Sequence, residues 1–290
     1  MRGLGGVSDD EAMRTGSRVP VSVMIFTLDE ELHLPSCLAA LGWCDDVIVV
    51  DSYSKDQTEA IARGLGARFY QNKFEGFGTQ RNWALDHCAP RHPWVLVLDA
   101  DERVTPELVE EMARVLPAAP PEVAAYRLKR RFYMWGRWLR HSSLYPTWVV
   151  RLFRFGRVRY ENRGHAETQT VDGDTRALDA DLIDENLKGI VEWFQRQARY
   201  AEKEAAFELA QGDVSFAALA SPDPMVRRAA MKRVAGRVPG RALLYFGWSY
   251  LARGGFRDGL DGAVFCGMRA VYQQMIVAAK HELRRKGPRS

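Results

Sequence analysis

The strongest constraint on this chain is a series of short apolar, β-branched runs separated by segments with helical spacing. Val21–Phe26 (VSVMIF), Val47–Val50 (VIVV) and Trp94–Leu98 (WVLVL) are almost wholly apolar, as strands covered on both faces must be. Between them, Asp29 to Leu41 places Leu32, Cys37, Leu38 and Leu41 on one helical face, Asp56–Leu65 reads as a helix closed by Gly64 or Gly66, and Gly78–Cys88 reads as another. Arg68–Tyr70 is a further short strand, and Thr105 followed by Pro106 predicts the N-cap and first turn of a helix running to Leu116. This β-α-β-α order predicts an α/β fold with a parallel, doubly wound sheet flanked by helices. Ligands of such sheets bind beyond the carboxyl ends of the strands. Polar residues stand at three of those ends: Thr27, Asp51 and Asp99.

The chain has 290 residues, of which 47% are hydrophobic, so a substantial core is available and disorder is excluded. A net charge of +4 does not demand a nucleic-acid partner. The cysteines Cys37, Cys44, Cys88 and Cys266 form no CxxC pair, which argues against zinc and against a disulfide framework. Residues 1–18 contain no apolar signal region and are expected to be poorly ordered. No run reaches the roughly 18 apolar residues of a membrane span. These features predict a cytoplasmic protein.

Residues 124–185 are rich in Arg, Trp and Tyr, with strands expected at Ala124–Lys129 and Val149–Phe153. A helix is expected from Asn186 to Gln211, carrying Trp193, Gln197, Tyr200 and Glu204 at helical spacing, and a break at Ser221–Pro224. The expected organisation is a disordered N-terminus over 1–18, a catalytic domain over 19–215 and a helical, membrane-interface region over 216–290.

Asp99-Ala100-Asp101 follows the run WVLVL. In extended chain the carboxylates fall on one side and Ala100 on the other. A carboxylate pair at a strand end suits a hard cation, Mg²⁺ or Mn²⁺, which can bridge a diphosphate. Asp51 caps its strand in Asp51-Ser52-Tyr53-Ser54, where a carboxylate can accept the imide N–H of uracil or simply open a turn.

The segments TLDEELHLPSCLAAL, WCDDVIVVDSYSKDQT, GFGTQRNWAL and WVLVLDADERVTPEL together resemble the family 2 glycosyltransferases. Among these they are similar to the branch of bacterial lipopolysaccharide-core β-1,4-glucosyltransferases. The resemblance covers about Val19 to Leu116 and is weaker beyond. It implies a GT-A fold, a mostly parallel Rossmann-like sheet, and an inverting transfer of glucose or another hexose from a UDP-sugar. It implies that Thr27 and Glu31 line the nucleotide pocket, with Asp29 where the family usually has Asn. Asp51 would read uracil, Arg81 and Asn82 would flank the donor, and Asp99 and Asp101 would hold the metal, Asp101 more directly. Inversion needs a base for the acceptor hydroxyl. In RYENRGHAET the candidates are Glu167, with Glu161 in reserve and His165 as a structural residue; the branch has Val-His-Glu where this chain reads Gly164-His165-Ala166-Glu167. In WVVRLFR, similar to the family's R-L-F-R block, Arg151 or Arg154 would meet phosphate oxygens.

Residues 241–256 (RALLYFGWSYLARGGF) are apolar and aromatic with flanking arginines, and 262–286 read as an amphipathic helix ending in Lys280, Arg284, Arg285 and Lys286. Such segments lie in a membrane interface and are drawn to anionic lipid. The expected acceptor is accordingly a lipid-linked or lipopolysaccharide-core sugar, reached from the inner face of the cytoplasmic membrane. Two rival functions are weaker. The run Arg127 to Trp138 interleaves bases and aromatics as single-strand nucleic-acid sites do, but it explains neither Asp51 nor Asp99. A nucleotidyltransferase would carry a Gly-rich basic loop where TLDEELH stands.

Overall fold

Strand alternation divides the core in two. In the computed structural model, which describes residues 19–163, 166–210, 238 and 240–286, β1 (Val21–Thr27) turns Val21, Val23 and Ile25 to one face and Met24 to the other. The first face packs against Leu34 and Cys37 of α1 (Leu34–Ala39), Ala62 of α2 (Thr58–Gly64), and Leu108 and Met112 of α4 (Pro106–Val115). The second packs against Ala84 and Leu85 of α3 (Phe77–His87). Thr105 caps α4 as its sequence predicts, accepting from Leu108 N–H at 3.2 Å. Residues 1–18, expected to be disordered, His165, the boundary near 215 and the Ser221–Pro224 break lie outside the described residues.

The remaining strands are β2 (Val47–Asp51), β3 (Arg68–Gln71), β4 (Trp94–Asp99), β5 (Glu102–Val104), β6 (Val123–Met134), β7 (Arg137–Trp138), β8 (Thr147–Arg154), β9 (Val158–Arg163), β10 (Ala166–Val171) and β11 (Asp174–Glu185). The main sheet has nine strands in the order β3-β2-β1-β4-β8-β6-β11-β5, with β7 on β6; β9 and β10 form a separate ribbon. The doubly wound α/β expectation holds for β1 to β4, which are mutually parallel, with helices on both faces. Past β4 the sheet is mixed: β8 runs antiparallel to both β4 and β6, β6 and β11 are parallel, and β5 is antiparallel to β11. Register sets Thr27 beside Asp51 and Phe26 beside Asp99, so the expected polar strand ends share one edge.

One irregularity matters for the site. Tyr126 pairs with Leu152 and Arg127 with Val150, so two residues of β8 oppose one of β6 and Arg151 is the extra one. A β-bulge of this kind re-aims a side chain.

The chain forms two compact units, one reaching Trp138 and including Tyr145–Asn162 and Glu167–Leu187, the other including Leu139–Leu144 and the chain from Lys188 on. In the second unit, α5 (Gly189–Ala210) packs Ala201 and Ala205 on Tyr272 and Ile276 of α7 (Gly259–Lys286). Glu208 of α5 receives Arg241, at the start of α6 (Arg241–Gly247), at 3.2 Å and also pairs with Lys280. Lys280 is therefore buried on a carboxylate and is no member of the exposed basic cluster expected at the end of the helix. Asp258 accepts from His141 N–H, Ser142 N–H and Ser142 Oγ at 2.9, 2.7 and 2.7 Å, tying the segment after β7 to the start of α7.

At the amino end of the first unit's sheet, buried Asp46 accepts from Ser22 Oγ at 2.6 Å, Arg91 N–H at 2.8 Å and Arg68 Nη1 at 2.9 Å. Burial opposes its charge, but these bonds outweigh it and hold the carboxyl below the usual range. A depressed folded pKa contributes stability above the unfolded value, about 3.9, and that contribution is lost as pH falls through the folded value. Asp46→Asn is expected to destabilise the protein at pH 7 by about 2–3 kcal/mol. Urea unfolding at pH 7 and pH 3 checks this: the gap between wild type and variant must narrow at pH 3.

Candidate active site

The carboxyl ends of β1, β2 and β4 are fixed by short loops that bind one another. The Asp29 carboxylate accepts from Lys55 N–H at 2.7 Å, and Asp29 N–H donates to Ser54 Oγ at 2.8 Å. Glu31 accepts from Gln57 N–H at 3.1 Å, and Glu31 N–H donates to Asp56 at 3.0 Å. Asp29 and Tyr53 hold φ of 54° and 63°, a backbone cost on the order of 1 kcal/mol or more that such bonding offsets. Glu31, expected in the nucleotide pocket, thus spends its carboxylate on the neighbouring loop.

Asp51 is fully buried. Its Oδ1 accepts from Thr27 Oγ1 at 2.8 Å and from Ser54 Oγ, and its Oδ2 accepts from Ser54 N–H at 2.8 Å. The weakest of its contacts is Gln71 Nε2 to Oδ2, at 3.4 Å.

Asp99 is the hub of the site. Its Oδ1 accepts from Arg81 Nη2 at 2.7 Å and its Oδ2 from Arg151 Nη2 at 2.5 Å. Arg151 also donates to Glu102 Oε1 at 2.8 Å, Glu102 accepts Asp99 N–H at 2.9 Å, and Arg130 bridges Glu102 and Asp184 at 3.6 and 3.2 Å. Burial favours the neutral acid at Asp99, but the Arg151 and Arg81 charges prevail and hold its carboxyl well below the usual range. Glu102 and Asp184 are pushed up, each by burial first. Asp101, in the turn after β4, is half-buried and receives Asn186 Nδ2 at 3.4 Å.

Arg81 is 3% exposed and joins this hub to a predicted base: its other terminal nitrogen pairs with Glu167. The guanidinium lies 5.5 Å from the Phe26 ring and 5.6 Å from that of Tyr160. Arg81 Nε, Arg151 Nε and Tyr160 Oη are buried without hydrogen-bond partners. Glu161 is exposed on β9 and makes none of these contacts. The start of α3 is zipped to β9. Gly78 N–H donates to Asn162 Oδ1 at 2.8 Å, while Asn82 donates to Tyr160 C=O at 2.8 Å and accepts its N–H at 3.0 Å. A Cβ on Gly78 would sit 3.0 Å from the backbone carbon of Glu161, tighter than an ordinary contact, so a larger residue would push β9 away.

The structure therefore gathers Asp99, Arg81 and Glu167 into one bonded group, and sets Thr27 and Asp51 together as a second. Of the arginine candidates, Arg151 enters the site. Arg154 instead binds the carbonyls of Val123 and Ala119, each at 2.9 Å, and stacks on Trp94 at 4.5 Å. Sequence reading missed Glu102, Arg130, Asp184 and Tyr160. The one available signal was Glu102 directly after the Asp-Ala-Asp triplet, alternating with Val104.

Magnesium or manganese fits the donor set at the border of this network. Both oxygens of Asp99 are held by arginines, and among the described residues no cluster of three or more acidic, His or Cys side chains is placed to hold a metal. The arrangement fits a cation bound through Asp101, with most ligands drawn from phosphate and water, as is usual for Mg²⁺.

The profile of Glycosyl transferase family 2 matches residues 22–187. The chain belongs to glycosyl transferase family 2. It is 33% identical over 149 residues to the lipopolysaccharide core biosynthesis glycosyltransferase LpsC of Rhizobium meliloti, covering 50% of this chain and 54% of that one. Among solved structures it resembles Staphylococcus aureus TarS 1-349 in complex with UDP-GlcNAc, at 15% identity and TM-score 0.46 over 92% of each chain. It also resembles glucosyl-3-phosphoglycerate synthase of Mycobacterium tuberculosis with Mn²⁺, UDP-glucose and glycerol 3-phosphate, at 25% identity and TM-score 0.32 over 47% of this chain and 51% of that one. The chain spans about half the length of LpsC.

Removing Arg151 strands a buried carboxylate. Arg151→Ala is expected to cost about 3–5 kcal/mol in urea unfolding. Arg151→Ala with Glu102→Gln should recover at least half of that loss; a double variant no more stable than the single would refute the charge-pair account.

Proposed function

We infer that this family 2 enzyme moves a hexose from a UDP-sugar onto a lipid-linked or lipopolysaccharide-core acceptor, with inversion at the anomeric carbon. The observation that carries the reading is the Arg81 bridge, which places a donor-side carboxylate, Asp99, and a candidate base, Glu167, on one buried guanidinium. The name of LpsC supports the acceptor class.

In this reading Asp51 takes the uracil N–H on Oδ2, the oxygen with the weak Gln71 contact, and Thr27 fixes the carboxylate's orientation. Asp101 would hold Mg²⁺ or Mn²⁺, which would supply positive charge against that developing on the leaving diphosphate. Arg81 and Arg151 keep Asp99 ionised and fixed. Glu167, paired with Arg81, takes the proton of the acceptor hydroxyl as that oxygen attacks and the sugar–phosphate bond breaks.

Asp101→Asn is expected to abolish Mn²⁺-dependent tightening of UDP binding in calorimetry. Glu167→Gln should keep UDP affinity within about twofold and lose at least about a hundredfold in turnover. Full turnover in EDTA would exclude the metal role, and an inactive Glu161→Gln beside an active Glu167→Gln would move the base to Glu161.

The same reading places the second unit at the inner face of the cytoplasmic membrane. Leu243, Leu244, Trp248, Leu251 and Leu260 are 47–79% exposed, close to Arg253 and Arg257 in sequence. Among the described residues no helix is long and apolar enough to cross a membrane. Leu243→Ser with Leu251→Ser should lower cosedimentation with anionic vesicles by at least about tenfold. A full-length protein that stays in the supernatant at low salt would end the membrane reading.

A further inference from the structure

The strand β6 carries four cations between Arg127 and Arg131, and they are not treated alike. Arg130 is met by Asp184 and Glu102, and Arg131 by Asp181 at 2.7 Å. Arg127 and Lys129 have no carboxylate partner among the described residues. Each instead faces the ring of Trp148, the Arg127 guanidinium at 4.9 Å and the Lys129 ammonium at 5.9 Å from its centroid. Trp148 keeps 38% of its surface open, and Arg127 is exposed. Two like charges two residues apart on a strand repel each other, and an aromatic face offsets this only in part. Held this way, they form a preorganised cationic pair without its counter-charge.

Its place in the sheet points to the counter-charge. Lys129 pairs with Trp148 and Arg127 with Val150, so all four side chains lie on one face. Val150 packs on the cluster containing Val95 and Val97, and alternation puts Asp99 on that face too. Leu96 of β4 pairs with Leu152 of antiparallel β8, so Trp148, at the start of β8, stands near the level of Asp99. At strand spacings near 4.8 Å the pair lies on the order of 10 Å from Asp99. β6 lies two strands beyond β4, outside the strand ends assigned to the nucleotide, which points the pair to the second substrate.

We propose that Arg127, Lys129 and Trp148 form a subsite for an anionic saccharide, a sugar bearing carboxylate or phosphate, within the acceptor. The placement rests on the donor reading given above; the binding itself does not. The bidentate fork of Arg127 and the point charge of Lys129 suit such a group, and the open part of the Trp148 ring suits the apolar face of a pyranose.

Calorimetry on the full chain tests this with trigalacturonate, with glucose 6-phosphate, and with neutral maltotriose. At least one anionic probe should bind more tightly than maltotriose by about tenfold or more, and Arg127→Gln with Lys129→Gln should remove that advantage while leaving UDP affinity within about twofold. Trp148→Ala should weaken the same probe and leave UDP unaffected. Equal affinity for charged and neutral sugars, or an unchanged double variant, would overturn the subsite. So would a single-stranded oligonucleotide that outcompetes both anionic probes and depends on the same residues. The saccharide titrations need no nucleotide, so wild-type protein that binds trigalacturonate but not UDP would remove the donor reading and leave the subsite standing.

Discussion

The active edge of this protein depends on how one carboxylate, Asp99, is neutralised. The Asp99 side chain keeps 36% of its surface open, and it takes one arginine on each oxygen. Those arginines come from distant elements, Arg81 from α3 and Arg151 from the β8 bulge. Through Glu102, Arg130 and Asp184 the same network reaches β5, β6 and β11. The parallel half of the sheet, which carries the strand ends, is thereby keyed electrostatically to the mixed half. The network joins four carboxyl groups, Asp99, Glu102, Asp184 and Glu167, to three guanidiniums, Arg81, Arg130 and Arg151. Asp101 at its border then adds one carboxylate more.

The first half of the fold was legible because its signals are local. Buried parallel strands announce themselves as apolar runs, and Thr105-Pro106 marks a helix start within two residues. The strand-end carboxylates followed from the same logic. The arginine partners of Asp99 were not legible, because pairing across 18 and 52 residues leaves no trace in spacing. The bulge at Arg151 was hidden too, since it exists only relative to β6. Lys280 shows the limit in the other direction: a terminal basic run reads as solvated, yet this lysine is claimed by Glu208 on another helix.

The loops after β1 and β2 show what a preorganised pocket requires. Asp29 and Tyr53 both adopt left-handed backbone angles. Asp tolerates that region through local hydrogen bonding, whereas Tyr has no such help. The cost is met by reciprocal bonds in which Asp29 and Glu31 satisfy N–H groups of the β2 loop and Ser54 and Asp56 satisfy those of the β1 loop. Asp51 sits beneath, its oxygens largely occupied by Thr27 and Ser54. Loops held this way need little reordering when a ligand arrives, which lowers the entropic cost of binding.

The same reasoning separates the two kinds of arginine on this sheet. Where an arginine is sunk beside acids, as Arg81, Arg130 and Arg151 are, its charge is spent on holding carboxylates in place, and substituting it disturbs the fold before it disturbs binding. Where a cation rests on a ring and faces water, as Arg127 does on Trp148, little fold stability depends on it, because an exposed cation–π contact contributes only about 0.5–1 kcal/mol. Retaining such a residue on the face that carries Asp99 therefore has little justification in stability. Its charge remains available to whatever approaches that face, and electrostatic attraction of this sort acts on orientation and encounter before contact is made.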